Sequence, residues 1–210
     1  MSPILDFFLD PYRDREFYII LLEAIAFVFG IASVVYAKKE NILVYPTGLI
    51  ATLITVYIFL LDRLYGDMMM NFYYSIMSIY GWWNWARVKN KKKLVQISRT
   101  NFSEKVVGFG FFILTMVVTY TVYRLSGTEI GTANYIDILT SGIFFTAMWY
   151  MANKKLENWT LWIIADIITV PLYAYRGWGM LSLQYLIFTI LAIQGYIAWK
   201  KSLNKKTQTL

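Results

Sequence analysis

The sequence contains no cysteine and no histidine. Without cysteine there are no disulfides, thiolate nucleophiles or cysteine-held metals, and without histidine there is no Ser-His-Asp triad. No Walker-type Gly-rich loop ending in Lys-Ser or Lys-Thr is present, which argues against ATP handling by this chain. Any enzyme built from this inventory would rest on isolated carboxylates. The chain is therefore expected not to be an enzyme and to carry no metal or cofactor.

Apolar residues, by contrast, are abundant. Hydrophobic residues make up 58% of the 210 and aromatic residues 19%, against roughly 45–50% apolar residues in soluble domains. The excess comes in blocks of roughly 17–20 residues, enough for a helix to cross about 30 Å of hydrocarbon. The fold class expected is an all-α integral membrane protein, with the lipid bilayer as its solvent. Residues 1–210 form a single membrane domain of seven transmembrane helices, at Phe17–Ala37, Asn41–Leu61, Met68–Ala86, Val106–Tyr123, Tyr135–Asn153, Trp159–Tyr175 and Met180–Trp199. The mixed, charged stretch from Ser2 to Glu16 does not read as a cleavable signal, so the first helix is expected to be retained.

The net charge of +7 has a use in topology. With these spans, the N-terminus and connections 2–3, 4–5 and 6–7 hold five basic residues, Arg13, Arg15, Arg63, Arg124 and Arg176. The remaining fifteen lie in connections 1–2, 3–4 and 5–6 and in the C-terminus. Positive charge marks the cytoplasmic side, which predicts an outside N-terminus and a cytoplasmic C-terminus. It also removes the need for a nucleic-acid partner.

Two parts of the chain resemble each other. "AKKENILVYPTGLIATLITVY" parallels "NKKLENWTLWIIADIITVPLYAY", with Thr52 matched to Thr169. "SIYGWWNWARVKNKK" parallels "AIQGYIAWKKSLNKK", pairing Gly81 with Gly195 and Trp85 with Trp199. Helices 1–3 (17–86) thus match helices 5–7 (135–199), with helix 4 (106–123) as linker. An odd linker leaves both triplets in one orientation, a 3+1+3 parallel repeat. Such repeats belong to transporters whose substrate site lies near the membrane midplane between the halves.

Polar groups inside hydrocarbon are costly and usually face a cavity or a partner. On helix 6, Trp159, Trp162, Asp166, Thr169 and Tyr173 recur at spacings of 3 and 4 and so share one face. Two tryptophans, a tyrosine and one carboxylate suit a flat cationic ring, since aromatic faces attract cations. The competing reading makes the tryptophans interfacial belt residues and pairs Asp166 with an amide or phenol. On helix 3, Asn71, Tyr74, Ser75, Ser78, Trp82 and Trp85 form a second stripe, either a cavity wall or a close helix–helix seam. Gln184 and Gln194 on helix 7 lie within about 80° of each other, suited to hydroxyl or carboxamide recognition or to interhelical bonding. Glu23 reads as structural and paired across helices, Gly66 and Asp67 as a turn, and Pro171 as a kink. Trp83 and Trp85 read as an interfacial belt, and Trp82 as a residue of the inner mouth or gate.

"SIYGWWNW", "ENWTLWIIADIITVPLYAY" and "LAIQGYIAWKK" closely resemble the PnuC family of bacterial vitamin transporters. The resemblance runs from about Ala24 to Lys201. It implies a 3+1+3 fold similar to that of the SWEET sugar transporters, in the bacterial inner membrane. It also implies facilitated uptake of nicotinamide riboside, retained inside after phosphorylation by a cytoplasmic kinase. That substrate carries a quaternary pyridinium, a carboxamide and a ribose, matching an aromatic box, amides and a carboxylate. Asn71 stands where the family usually has glutamine, and Gln184 where an apolar residue is expected. A similar subfamily carries thiamine, whose thiazolium is also a flat cation, so thiamine is the alternative substrate. Oligomeric state stays open, a homotrimer included.

Overall fold

The computed structural model describes residues 7–13, 15–62, 65–89, 92–127 and 130–208. Arg63 and Lys91, used above for sidedness, lie outside them. Seven long helices dominate: α1 Phe17–Lys38, α2 Val44–Leu61, α3 Tyr65–Ala86, α4 Phe102–Leu125, α5 Thr132–Ala152, α6 Glu157–Tyr175 and α7 Gly179–Gln208. A two-residue hairpin, β1 Val88–Lys89 and β2 Lys92–Lys93, lies between α3 and α4. By length and composition α1, α2, α4 and the Gly179–Lys205 part of α7 are apolar enough to cross a membrane. The other three carry the polar side chains that face inward, which lowers their average hydropathy. The protein is a helical membrane protein.

The helix ends depart from the sequence expectation where capping decides them. α4 begins at Phe102 rather than Val106, because Asn101 and Glu104 form a reciprocal capping box with bonds of 2.8 and 2.9 Å. Such a box satisfies two of the free N–H groups of the first turn. α7 continues to Gln208, nine residues beyond Trp199, since no glycine or proline interrupts its polar tail. Gly66 and Asp67 do not form a turn. They lie in the first turn of α3, where an acidic side chain complements the helix dipole.

In sequence order, α1 packs on α2 and α2 on α3, and likewise α5 on α6 and α6 on α7. Contacts between these groups run through α1 with α7 and α3 with α5, while α4 packs chiefly on α5. At one end of the bundle the buried constellations recur. Tyr45 lies over Gly81 and meets Trp85 edge-on at 5.1 Å. Trp159 lies over Gly195 and meets Trp199 edge-on at 5.5 Å. Each closing tryptophan donates its indole N–H across to the other group, Trp85 to the Ala152 carbonyl at 3.2 Å and Trp199 to the Ala37 carbonyl at 3.0 Å. Between them Lys154, buried, pairs with Glu40 at 3.2 Å across a sequence distance of 114. Both hold left-handed backbone (φ 51° and 53°) immediately after α5 and α1. Trp85 is therefore not a belt residue, being only 4% exposed, whereas Trp83 is 57% exposed.

The same offset of 114 relates the buried residues of the second helices. Val44, Tyr45, Ala51 and Ile58 of α2 correspond to Asn158, Trp159, Ala165 and Leu172 of α6. This corrects the register in α6. Thr52 corresponds to Asp166, and Thr55 to Thr169.

Candidate substrate cavity

A cavity of about 890 Å³ runs through the middle of the bundle. Of the predicted site residues, Asn71, Tyr74, Trp159, Trp162, Asp166, Thr169, Tyr173 and Gln184 line it. The α6 stripe faces inward as a unit. Asp166 and Thr169 are each 2% exposed, and Thr169 donates to the Ala165 carbonyl at 2.8 Å.

Two expectations fail. Gln194 is exposed, and its side-chain oxygen accepts a 2.8 Å bond from Lys38 Nζ. It sits on the outer face of α7 with Ile190, Ile193 and Ile197, all exposed. Trp82 is 42% exposed and outside the lining. The inward face of α3 runs through Met77, Ser78, Gly81, Asn84 and Trp85, because α3 is wedged between α2 and α5. That rotation leaves Trp82 on its exposed edge.

The aromatic wall is larger than the α6 and α3 stripes. Trp162 lies 6.2 Å from Tyr74 and 5.4 Å from Phe144, ring centroid to centroid. Tyr185 continues the wall, 5.8 Å from Phe144 and 5.2 Å from Tyr173, and Trp178 lies 5.3 Å beyond Tyr173. Phe144 and Tyr185 were missed because each sits in an apolar run where nothing local separates a cavity face from a lipid face. On the opposite wall Thr52 shares a 2.8 Å hydrogen bond with Ser75.

Charge in the cavity is one-sided. Among the described residues its lining holds five carboxylates, Glu23, Asp62, Asp67, Asp137 and Asp166, and one arginine, Arg15. Four of the carboxylates have cationic or polar neighbours toward the end where α1 begins. Glu23 is paired, but with Arg15 at 2.9 Å, which precedes α1, and not across helices as expected. Asp62 pairs with the same arginine at 2.6 Å. Asp137 accepts from Tyr123 and lies 3.4 Å from Arg176, and Asp67 shares its electrostatic environment. Asp166 differs. No hydrogen bond or ion pair reaches its carboxylate from the described residues. The Gln184 amide is likewise without a hydrogen bond among the described residues. No cluster of acidic residues among the described residues has the form of a metal site.

A helical bundle around a central cavity walled by aromatic and apolar side chains, with a few carboxylates, is the frame of a membrane transport protein, and the comparisons with known proteins place the chain in that class. The family model described as nicotinamide mononucleotide transporter matches residues 20–201, and the chain belongs to that family, whose members are transporters and not enzymes. The nicotinamide riboside transporter PnuC of Escherichia coli is 25% identical over 208 residues, covering 88% of this chain and 87% of that protein. PnuC of Neisseria mucosa is 26% identical over 204 residues, covering 88% and 73%. The riboflavin/roseoflavin transporter RibM of Streptomyces davaonensis is 19% identical over 187 residues, covering 87% and 85%. The crystal structure of a vitamin B3 transporter PnuC superposes with a TM-score of 0.70 at 24% identity, over 94% of this chain and 86% of that one, and establishes the likeness of fold.

Proposed function

We propose that this protein mediates facilitated uptake of nicotinamide riboside, with its quaternary ring held against Trp162, Tyr74 and Tyr173 beside Asp166. The observation that carries this reading is the Asp166 carboxylate, buried in an aromatic-walled cavity and without a direct partner among the described residues. A buried carboxylate without a counter-ion is costly. A flat organic cation supplies the missing charge and stacks on the rings that surround it. Thr169, Asn71, Gln184 and Trp159 are the groups assigned to the ribose and carboxamide. The names of the PnuC relatives support the choice of substrate.

Seven spans in a 3+1+3 parallel repeat are the architecture assigned to this activity, supported by the paired Tyr45/Gly81/Trp85 and Trp159/Gly195/Trp199 constellations. The two groups rearrange about the Glu40–Lys154 pair to expose the cavity alternately. The bias of basic residues supports a cytoplasmic C-terminus, and the membrane assigned is the bacterial inner membrane. Uptake is passive, and a cytoplasmic kinase retains the product by phosphorylation.

Thiamine is the second reading, because the Asp166 box accepts any flat quaternary ring of this size. Titration of the purified protein with both compounds separates them: tighter binding of nicotinamide riboside supports the first reading, tighter binding of thiamine the second. Uptake into liposomes without any ion gradient is expected. Strict dependence on sodium or a proton gradient would sink the passive mechanism.

A further inference from the structure

The chain ahead of α1 is built into the end of the cavity. Leu9, Pro11, Tyr12 and Arg15 all line it, and Pro11 sits within a short 3₁₀ turn, Asp10–Tyr12. This strap crosses between the two helix groups. On one side Phe7 rests on Gly179, the first residue of α7. A Cβ at Gly179 would stand 2.7 Å from the Phe7 carbonyl oxygen and 2.8 Å from its ring, so the strap seats only because that side chain is missing. On the other side Arg15 forms an ion pair with Glu23 of α1, Nε to carboxylate oxygen 2.9 Å without hydrogen-bond geometry, and donates from Nη2 to Asp62, the C-cap of α2, at 2.6 Å. Burial, with the Glu23 carboxylate beside it, pushes the Tyr12 phenol up to about 12.

The anchors α1 start, α2 end and α7 start lie at the same end of the bundle. The opposite end is filled by Tyr45, Trp85, Trp159 and Trp199. Passage at the strap's end therefore meets the strap first. Its fastening is also chemically suited to release. Both ion pairs are partly exposed, with side-chain exposures of 23–28%, and exposed pairs of this kind are weak. Arg15 is a tethered cation occupying the two mouth carboxylates that an incoming cation meets.

We propose that residues 7–13 together with Arg15 form a lid over the cavity mouth, latched by Arg15 and opened when a cationic substrate takes its place at Glu23 and Asp62. This rests on the reading of the cavity as the substrate path. The test is independent of substrate identity. Because the chain has no cysteine, Thr55→Cys places a single thiol in the cavity wall. Its modification by a membrane-impermeant cationic methanethiosulfonate reagent is timed in right-side-out and inside-out vesicles. Adding Arg15→Gln is expected to accelerate modification about tenfold from the face that carries the N-terminus and to leave the other face unchanged. Glu23→Gln, which removes one of the two anchors, is expected to give a smaller acceleration and serves if Arg15→Gln does not fold. Unchanged rates from both faces in both variants would overturn the lid, whatever the protein transports. Loss of uptake with accelerated labelling would instead leave the lid standing and count against the substrate.

Discussion

Replacing Gly195 by alanine tests the packing that closes the tryptophan-rich end of the cavity. A Cβ there would stand 2.6 Å from two carbons of the Trp159 ring and 2.7 Å from a third, where carbon–carbon contact is comfortable at about 3.5–4.0 Å. The indole has no room to retreat. It is 2% exposed and held edge-on by Trp199, whose own N–H is bonded to the Ala37 carbonyl. Overpacking a rigid ring costs up to about 3 kcal/mol, while alanine in place of a helical glycine returns about 1 kcal/mol. The net loss is about 2 kcal/mol, or roughly 4–8 °C in melting temperature for a chain of this size. The control is Gly110→Ala in α4, where nothing lies within 4 Å of the added Cβ. It should gain about 1 kcal/mol and melt some 2–4 °C higher. Melting followed by size-exclusion in detergent reads both. If Gly195→Ala melts at or above the parent while Gly110→Ala behaves as expected, Trp159 can move aside and the closed end is not a fixed wedge.

Asp166→Asn keeps the shape and removes the charge. Uptake and affinity for a cationic substrate should fall at least about tenfold, or about 1.4 kcal/mol, with membrane expression retained; equal affinity would mean that Asp166 is not the counter-ion. Gln194→Ala and Trp82→Ala should transport within about twofold of the parent, because neither side chain reaches the cavity; a large loss in either would place the path elsewhere. Glu40→Gln removes the carboxylate paired with the Lys154 ammonium, which is 3% exposed and 4.3 Å above the Trp85 ring. It should destabilise the protein by about 3 kcal/mol, more than Lys154→Met does, since breaking a buried ion pair from one side costs more than an apolar replacement. Equal melting temperatures for the two variants would refute that ordering.

Local signals carried much of this architecture. Apolar runs of membrane-spanning length become helices because lipid offers no other partner for backbone N–H and C=O groups. The spacing of 3 and 4 on α6 was sufficient to select Trp162, Asp166, Thr169 and Tyr173, because an amphipathic face in a mostly apolar helix has one direction to turn. The Lys-Lys turns and Gly-x-x-x-Trp endings likewise pointed to the recurring Tyr45/Gly81/Trp85 and Trp159/Gly195/Trp199 constellations, although the register of Thr52 was off by one turn because Thr169 is the nearer chemical match.

Rotation and long-range pairing could not be read in this way. Whether Trp82 or Gly81 faces inward depends on how α2 and α5 flank α3. Whether Gln194 meets substrate or Lys38 depends on where α1 crosses α7. The Glu40–Lys154 pair, the Trp199 bond to Ala37, the Phe144–Tyr185 wall and the strap over Gly179 each join residues far apart in the chain. The sequence by itself determined the membrane, the helices and the chemistry of one face. Only the tertiary structure decided which neighbouring faces join it, because helix rotation is set by packing between segments and leaves no local periodicity to read.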